Sequence, residues 1–134
     1  MPNTKPRLFL NGYGVANVDG RINNVDIAST SVPNDSNNYT VVKQYQFAKG
    51  TYIVCVNGLF ATTSATGVRA LAYQEQNGSP VPVVGIPGVN GAWDRVNMVF
   101  TLNLTETKTI EILAMQTSGS SVNVAGTMSI ARLC

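Results

Sequence analysis

With 134 residues the chain fits one domain, 1–134, and can bury a hydrophobic core without disulfide or metal staples. Charged residues make up only 12%, about half the usual share, so solubility must come from Asn, Ser, Thr and Gln, whose amides and hydroxyls also match the donors and acceptors of a glycan. The basic residues are scattered without a run, which argues against nucleic acid, and there is no histidine to serve as base for a Ser or Cys nucleophile.

Met1–Gly12 holds just three consecutive apolar residues, Leu8–Leu10, too few for a secretory leader; if Met1 is the natural start, no Sec export is expected. No segment is long and apolar enough to span a bilayer, so membrane insertion is not expected. Arg7–Leu10 reads as a short first strand, ended by Asn11-Gly12 and Gly14. Asn17–Asn38 is loop-like from its many turn formers, with a short strand at Ile22–Ile27. Tyr39–Phe47 is a strand by its β-branched and aromatic content, and Ala48-Lys49-Gly50 is a tight turn. Thr51–Thr62 is apolar on both faces, which predicts a doubly covered strand.

Gly67–Gln76 would tolerate helix by composition. Yet Val68, Ala70 and Ala72 alternate with Arg69, Leu71 and Tyr73, and Asn77-Gly78 follows as a hairpin signal. We therefore read a strand paired with Val81–Ile86, where Pro80, Pro82 and Pro87 demand an edge or a broken strand. Pro87–Gly91 is a loop tip. Trp93–Leu104 alternates strictly, with Val96, Met98, Phe100, Leu102 and Leu104 on one side. Lys108–Gln116 sets Ile110, Ile112 and Ala114 on one face, and Val122–Leu133 closes the domain with a kink or bulge at Gly126. No convincing helix appears. Eight or more strands in a sandwich-sized domain suggest a jelly roll. Strands apolar on both faces need a further partner, and self-association is the simplest.

Two pieces carry a family resemblance. Phe47–Phe60 (FAKGTYIVCVNGLF) places Phe47, Gly50 and Tyr52 as a "phenylalanine, turn, glycine, X, tyrosine" approach to a long inner strand. In Val96–Leu133, a strand ends in Leu102-X-Leu104, a turn leads to Thr109-Ile110-Glu111-Ile112, and the chain closes on Ser129-Ile130-Ala131-Arg132-Leu133. Together they resemble the jelly-roll heads of the tumour-necrosis-factor and complement-globular-head superfamily over about two-thirds of the chain, the first forty residues matching poorly. The resemblance implies an all-β, antiparallel jelly-roll β-sandwich of about ten strands that forms a homotrimer, with an inner sheet of the strands at Arg7, Thr51, Trp93 and Val122. Similar heads occur in cytokines, complement, spore-surface filaments, some lectins and phage tail tips. With neither a collagen-like repeat nor a leader in view, the expected role is a phage tail-fibre or baseplate-tip head on the virion. It would bind host cell-surface saccharide beside other tail proteins, without catalysis or cofactor. The alternative is a trimeric head on a bacterial cell or spore surface, adhesive or structural.

The loop Gly85–Arg95 is the best recognition candidate. Trp93, the only tryptophan, could stack on a sugar ring while Asn90, Asp94 and Arg95 bond its hydroxyls. The plainer alternative is that Trp93 fills the core or a subunit contact. Tyr73 and Arg69 are weaker candidates, whose plain alternative is a solvated outer face. A saccharide-cleaving enzyme would need two converging carboxylates, Asp19 with Asp26 or Asp94 with Glu75; solvated turn carboxylates are the preferred reading. Val18–Asp26 is rich in oxygen ligands, but its spacing is not that of a calcium loop, so no metal is assigned. Cys55 reads as a small buried hydrophobe, with a Cys55–Cys134 disulfide open only if the last strand ends beside it. A capsid jelly roll, building shells in place of closed trimers, is a further class.

Overall fold

The computed structural model describes residues 22–134, so the expected strand at Arg7–Leu10 and the acid Asp19 lie outside the described residues. Eight strands follow in chain order: β1 Ile22–Val32, β2 Thr40–Phe47, β3 Gly50–Phe60, β4 Val68–Glu75, β5 Val81–Pro87, β6 Asp94–Leu104, β7 Lys108–Gln116 and β8 Val122–Arg132. They form two antiparallel sheets of four, β1-β8-β3-β6 and β2-β7-β4-β5. The two inner faces close on one core, to which both sheets contribute (Val54, Phe60, Met98 and Met128 from the first; Leu71, Ile110 and Ile112 from the second). The result is a β-sandwich, and its strand order is consistent with jelly-roll winding.

The period-two pattern explains most of these strands. In β6 the even residues from Asp94 to Leu104 are all buried, while Arg95, Asn97, Val99, Thr101 and Asn103 are exposed. In β7 Ile110, Ile112 and Ala114 point into the core, as expected. The Asn77-Gly78 hairpin also forms: Asn77 adopts φ 65° and the Gly78 N–H donates to the Glu75 carbonyl at 2.8 Å. β5 is an edge strand, with a register shift against β4 between Leu71 and Ala72. Proline cannot donate to a ladder, which suits Pro82 to this place.

β1 departs from expectation. It is an eleven-residue strand rather than a short one inside a loop. Val25, Ile27 and Val32 lean inward, while Asn24, Asp26 and Ser31 are exposed on the outer face of an edge strand. Asn and Asp there read as turn formers in sequence. The bulge between Ile27 and Thr30 also breaks the alternation that would have marked the strand. Gly126 sits across from that bulge, paired with Ile27 on one side and Gly58 on the other. A Cβ on Gly126 would lie 1.9 Å from the Asn57 carbonyl oxygen, so no side chain fits.

β3 is the strand expected to be apolar on both faces. Tyr52, Val54, Val56 and Phe60 are buried in the sandwich, and Ile53, Cys55 and Leu59 stand half-buried on the outside. The strands beginning near Thr51, Trp93 and Val122 do share one sheet, and β1 occupies its fourth place.

Candidate functional site

At one end of the sandwich, the β3–β4 connection (61–67) meets the β5–β6 connection (88–93). Their junction is built on Arg69, which is fully buried. Its Nε donates to Asp94 Oδ2 at 2.9 Å, its Nη2 to the Ser64 carbonyl at 2.7 Å, and its Nη1 to the carbonyls of Thr66 and Val68 at 2.8 and 3.2 Å. The other oxygen of Asp94 accepts from the Val89 N–H at 3.2 Å. Gly88 N–H to Gly67 O and Gly91 N–H to Thr63 O, both 3.0 Å, complete the clamp. A Cβ on Gly88 would fall 2.5 Å from the Arg69 guanidinium, so glycine lets the backbone pass. The clamp holds the chain just ahead of β6. There Trp93 is 57% exposed and Asn90 is exposed.

Trp93 precedes Arg95 and Asn97, which face outward on β6. Register carries that face across the sheet. Arg95 stands opposite Leu59, and Leu59 opposite Ala125. In the next row Asn97, Asn57, Thr127 and Asp26 follow one another from β6 to β1. Arg95, Leu59, Ala125, Asn97, Asn57 and Thr127 line a half-open dish of about 440 Å³ whose floor includes Gly58 and Gly126, and Asp26 ends the row outside it. The dish offers two facing carboxamides, a hydroxyl and one guanidinium over a small apolar floor. Beyond it the same outer face mixes apolar with polar residues, Asn24, Ser129, Cys55 and Val99 in one row and Ile22, Ala131, Ile53 and Thr101 in a further one, with Ile22 and Val99 strongly exposed.

A second depression of about 450 Å³ lies at the opposite end, among Tyr45, Phe47, Tyr52 and Arg132. Its cation is already engaged, donating to the Lys49 carbonyl at 2.8 Å and lying 5.7 Å from the centre of the Tyr52 ring. Lys108 is held by Glu75 at 3.2 Å and Glu106 at 3.5 Å, and the hydrogen bond to Glu75 pushes its ammonium pKa upward.

The six residues singled out in sequence thus divide. Trp93, Arg95 and Asn90 are exposed at one end, near the dish or its bordering loop. Arg69 and Asp94 are buried against each other and present no free polar group at the surface. Tyr73 is half-buried, its ring stacked on Phe100 at 3.9 Å with planes 8° apart. The solvated face expected for Arg69 and Tyr73 is therefore corrected, since both point between the sheets. Sequence alone missed Asn57, Asn97 and Thr127. The outward phase of β3, β6 and β8 marks them as exposed, but only register brings them together.

The carboxylate pair Asp94 and Glu75 does not converge. Asp94 meets β4 at Arg69, and Glu75 lies six residues along that strand, roughly 20 Å away. Asp26, the described member of the other pair, lies on the outer face at the rim of the dish row. Among the described residues no three His, Cys, Asp or Glu side chains cluster to hold a metal. Cys55 is half-buried on the outer face rather than in the core, and it and Cys134 are free thiols. The Cys134 carbonyl accepts from Thr51 N–H at 3.0 Å, four residues short of Cys55, so the last strand runs past Cys55 and ends about 13 Å beyond it.

No family model matches the chain, and neither does any characterised protein sequence. Solved structures do. The chain is similar to a chain of the infectious bursal virus derived T=1 particles (TM-score 0.64, 12% identity, covering 84% of this chain and 31% of that one). It is likewise similar to the infectious bursal disease virus VP2 subviral particle (TM-score 0.58, 12% identity, covering 84% and 33%). The chain thus spans about a third of the viral chains it matches. At such identity the likeness establishes a shared β-sandwich fold and nothing of function. The sugar-binding EclA C-terminal domain aligns over 88% of this chain and 85% of its own, but at a TM-score of 0.43, too low to argue from.

Proposed function

We propose that this chain is a non-enzymatic receptor-binding head of a phage tail fibre or baseplate tip, located on the virion, that holds host cell-surface saccharide. The observation that carries this reading is an exposed Trp93 two residues ahead of Arg95, which lines a dish together with the neutral amides Asn57 and Asn97. An indole face takes the C–H side of a sugar ring, and Asn57, Asn97 and Thr127 bond hydroxyls as donor or acceptor. The buried Arg69–Asp94 clamp fixes the loop before binding, so little ordering entropy opposes it. The separation of Asp94 from Glu75 counts against that pair as the acids of a glycosidase.

The fold is proposed to be of the tumour-necrosis-factor type, with about ten strands in the full head and three copies closed around the more apolar half of the outer face of β1-β8-β3-β6. Ile22, Ile53 and Val99 would be covered, leaving the dish near the seam. Each weak site then gains from its linked copies. The alternative is a bacterial or spore-surface head; a collagen-like or coiled stalk upstream would favour it, and neighbouring tail genes the phage reading. The fold likeness to virus-particle chains keeps a shell-building reading in play, which predicts shells in place of closed trimers.

The test is binding of the purified protein to bacterial surface polysaccharides and whole host cells. Trp93→Ala is expected to weaken saccharide binding by about tenfold or more with an unchanged melting temperature. Failure to bind any surface glycan, or full binding by Trp93→Ala, would overturn the assignment.

A further inference from the structure

We infer that the saccharide taken by the dish is acidic, and that its carboxylate is anchored by Arg95. This rests on the saccharide reading of the same site. Among the described residues, the arginines Arg69 and Arg132 are engaged within the fold, by Asp94 and by the Lys49 carbonyl. Arg95 has no ion pair or side-chain hydrogen bond among them. It nevertheless stands in the wall of a concave site, not on a convex solvated rim. Its row neighbours Leu59 and Ala125 are apolar and half-buried, so they can pack against the side-chain stem but offer its guanidinium no partner. The acid that shares the outer face, Asp26, lies on β1, three strand spacings or roughly 14 Å across the sheet.

The chemistry that completes such a group is a planar carboxylate, which a guanidinium can hold through two parallel hydrogen bonds. A hexuronic or nonulosonic acid supplies that carboxylate on a ring whose hydroxyls suit Asn57 and Asn97. Asp26 at the far rim repels the same charge, so the two ends of the site set the ligand's direction. A neutral sugar would offer Arg95 hydroxyl acceptors but no counter-charge.

The experiment compares hexuronate- and nonulosonate-bearing oligosaccharides with their carboxyl-reduced counterparts, in binding to the wild-type protein, Arg95→Met and Arg95→Lys. The wild type is expected to prefer the acidic member of a pair by about tenfold at low salt, the preference shrinking as salt screens it. Arg95→Met should erase the preference, so that the two members of a pair bind alike whatever the variant costs each of them, and Arg95→Lys should retain part of it. Equal wild-type binding of both members, or a preference that survives in Arg95→Met, would overturn the acidic assignment and leave the saccharide reading standing. Binding of neither member, with no other glycan bound, would overturn both.

Discussion

Arg69→Met is expected to lower the free energy of unfolding by about 3–5 kcal/mol, most of what a marginal domain of this size holds. The variant removes the cationic partner of a carboxylate that is itself buried, with the two side chains 0% and 1% exposed. Asp94 would then be left charged in the interior with only the Val89 N–H to meet it. The carbonyls of Ser64, Thr66 and Val68 lose their donors at the same time. An apolar pair of similar volume avoids the stranded charge, so Arg69→Met with Asp94→Leu should recover part of the loss. Urea unfolding followed by circular dichroism measures both. A loss below about 1 kcal/mol for the single variant would mean that the pair is not the clamp described. Trp93, the only tryptophan, is already exposed, so its emission should shift little on unfolding and more on ligand binding.

The same pair shows why the site was only partly legible in the sequence. Trp93 and Arg95 stand out by their rarity and by the loop before them, and both emerge at the surface. Arg69 looks like a solvated residue on any strand, because charged side chains are seldom buried unpaired. Its burial follows from Asp94, 25 residues away, and no local pattern encodes that meeting. The dish poses the same problem at larger scale, since Asn57, Asn97 and Thr127 come from three strands far apart in the chain and meet through register alone. Strands, by contrast, announce themselves locally. β6 follows strict alternation, β7 keeps Ile110, Ile112 and Ala114 in phase although Glu111 and Leu113 are buried as well, and Asn77-Gly78 fixes a hairpin by its backbone preference. β1 was legible only in its first half, because its bulge shifts the alternation and its outward residues are those that also favour turns.

Neighbouring residues on β3 should separate folding from association. Val54 is fully buried in the sandwich, so Val54→Asp places a carboxylate between its buried cross-strand partners Phe100 and Ile130 with no cation to meet it. The expected loss exceeds about 4 kcal/mol, and the protein should be insoluble or unfolded; Val56→Asp, at 1% exposure, should behave alike. Ile53 faces the other way, half-buried between Ala131 and Thr101. Ile53→Asp keeps water on its charge in the free chain, so its fold should hold to within about 1 kcal/mol. If copies close on this face, three added charges would crowd the same seam. Light scattering should then move from three times the chain mass for the wild type to one for Ile53→Asp. A folded, wild-type-like Val54→Asp would contradict the inward face of β3. A monomeric wild type would remove the reason for apolar residues on the outward face, and the trimeric head would fall with it. A trimeric Ile53→Asp would instead move the contact to another surface and leave the whole outer sheet, dish included, open to ligand.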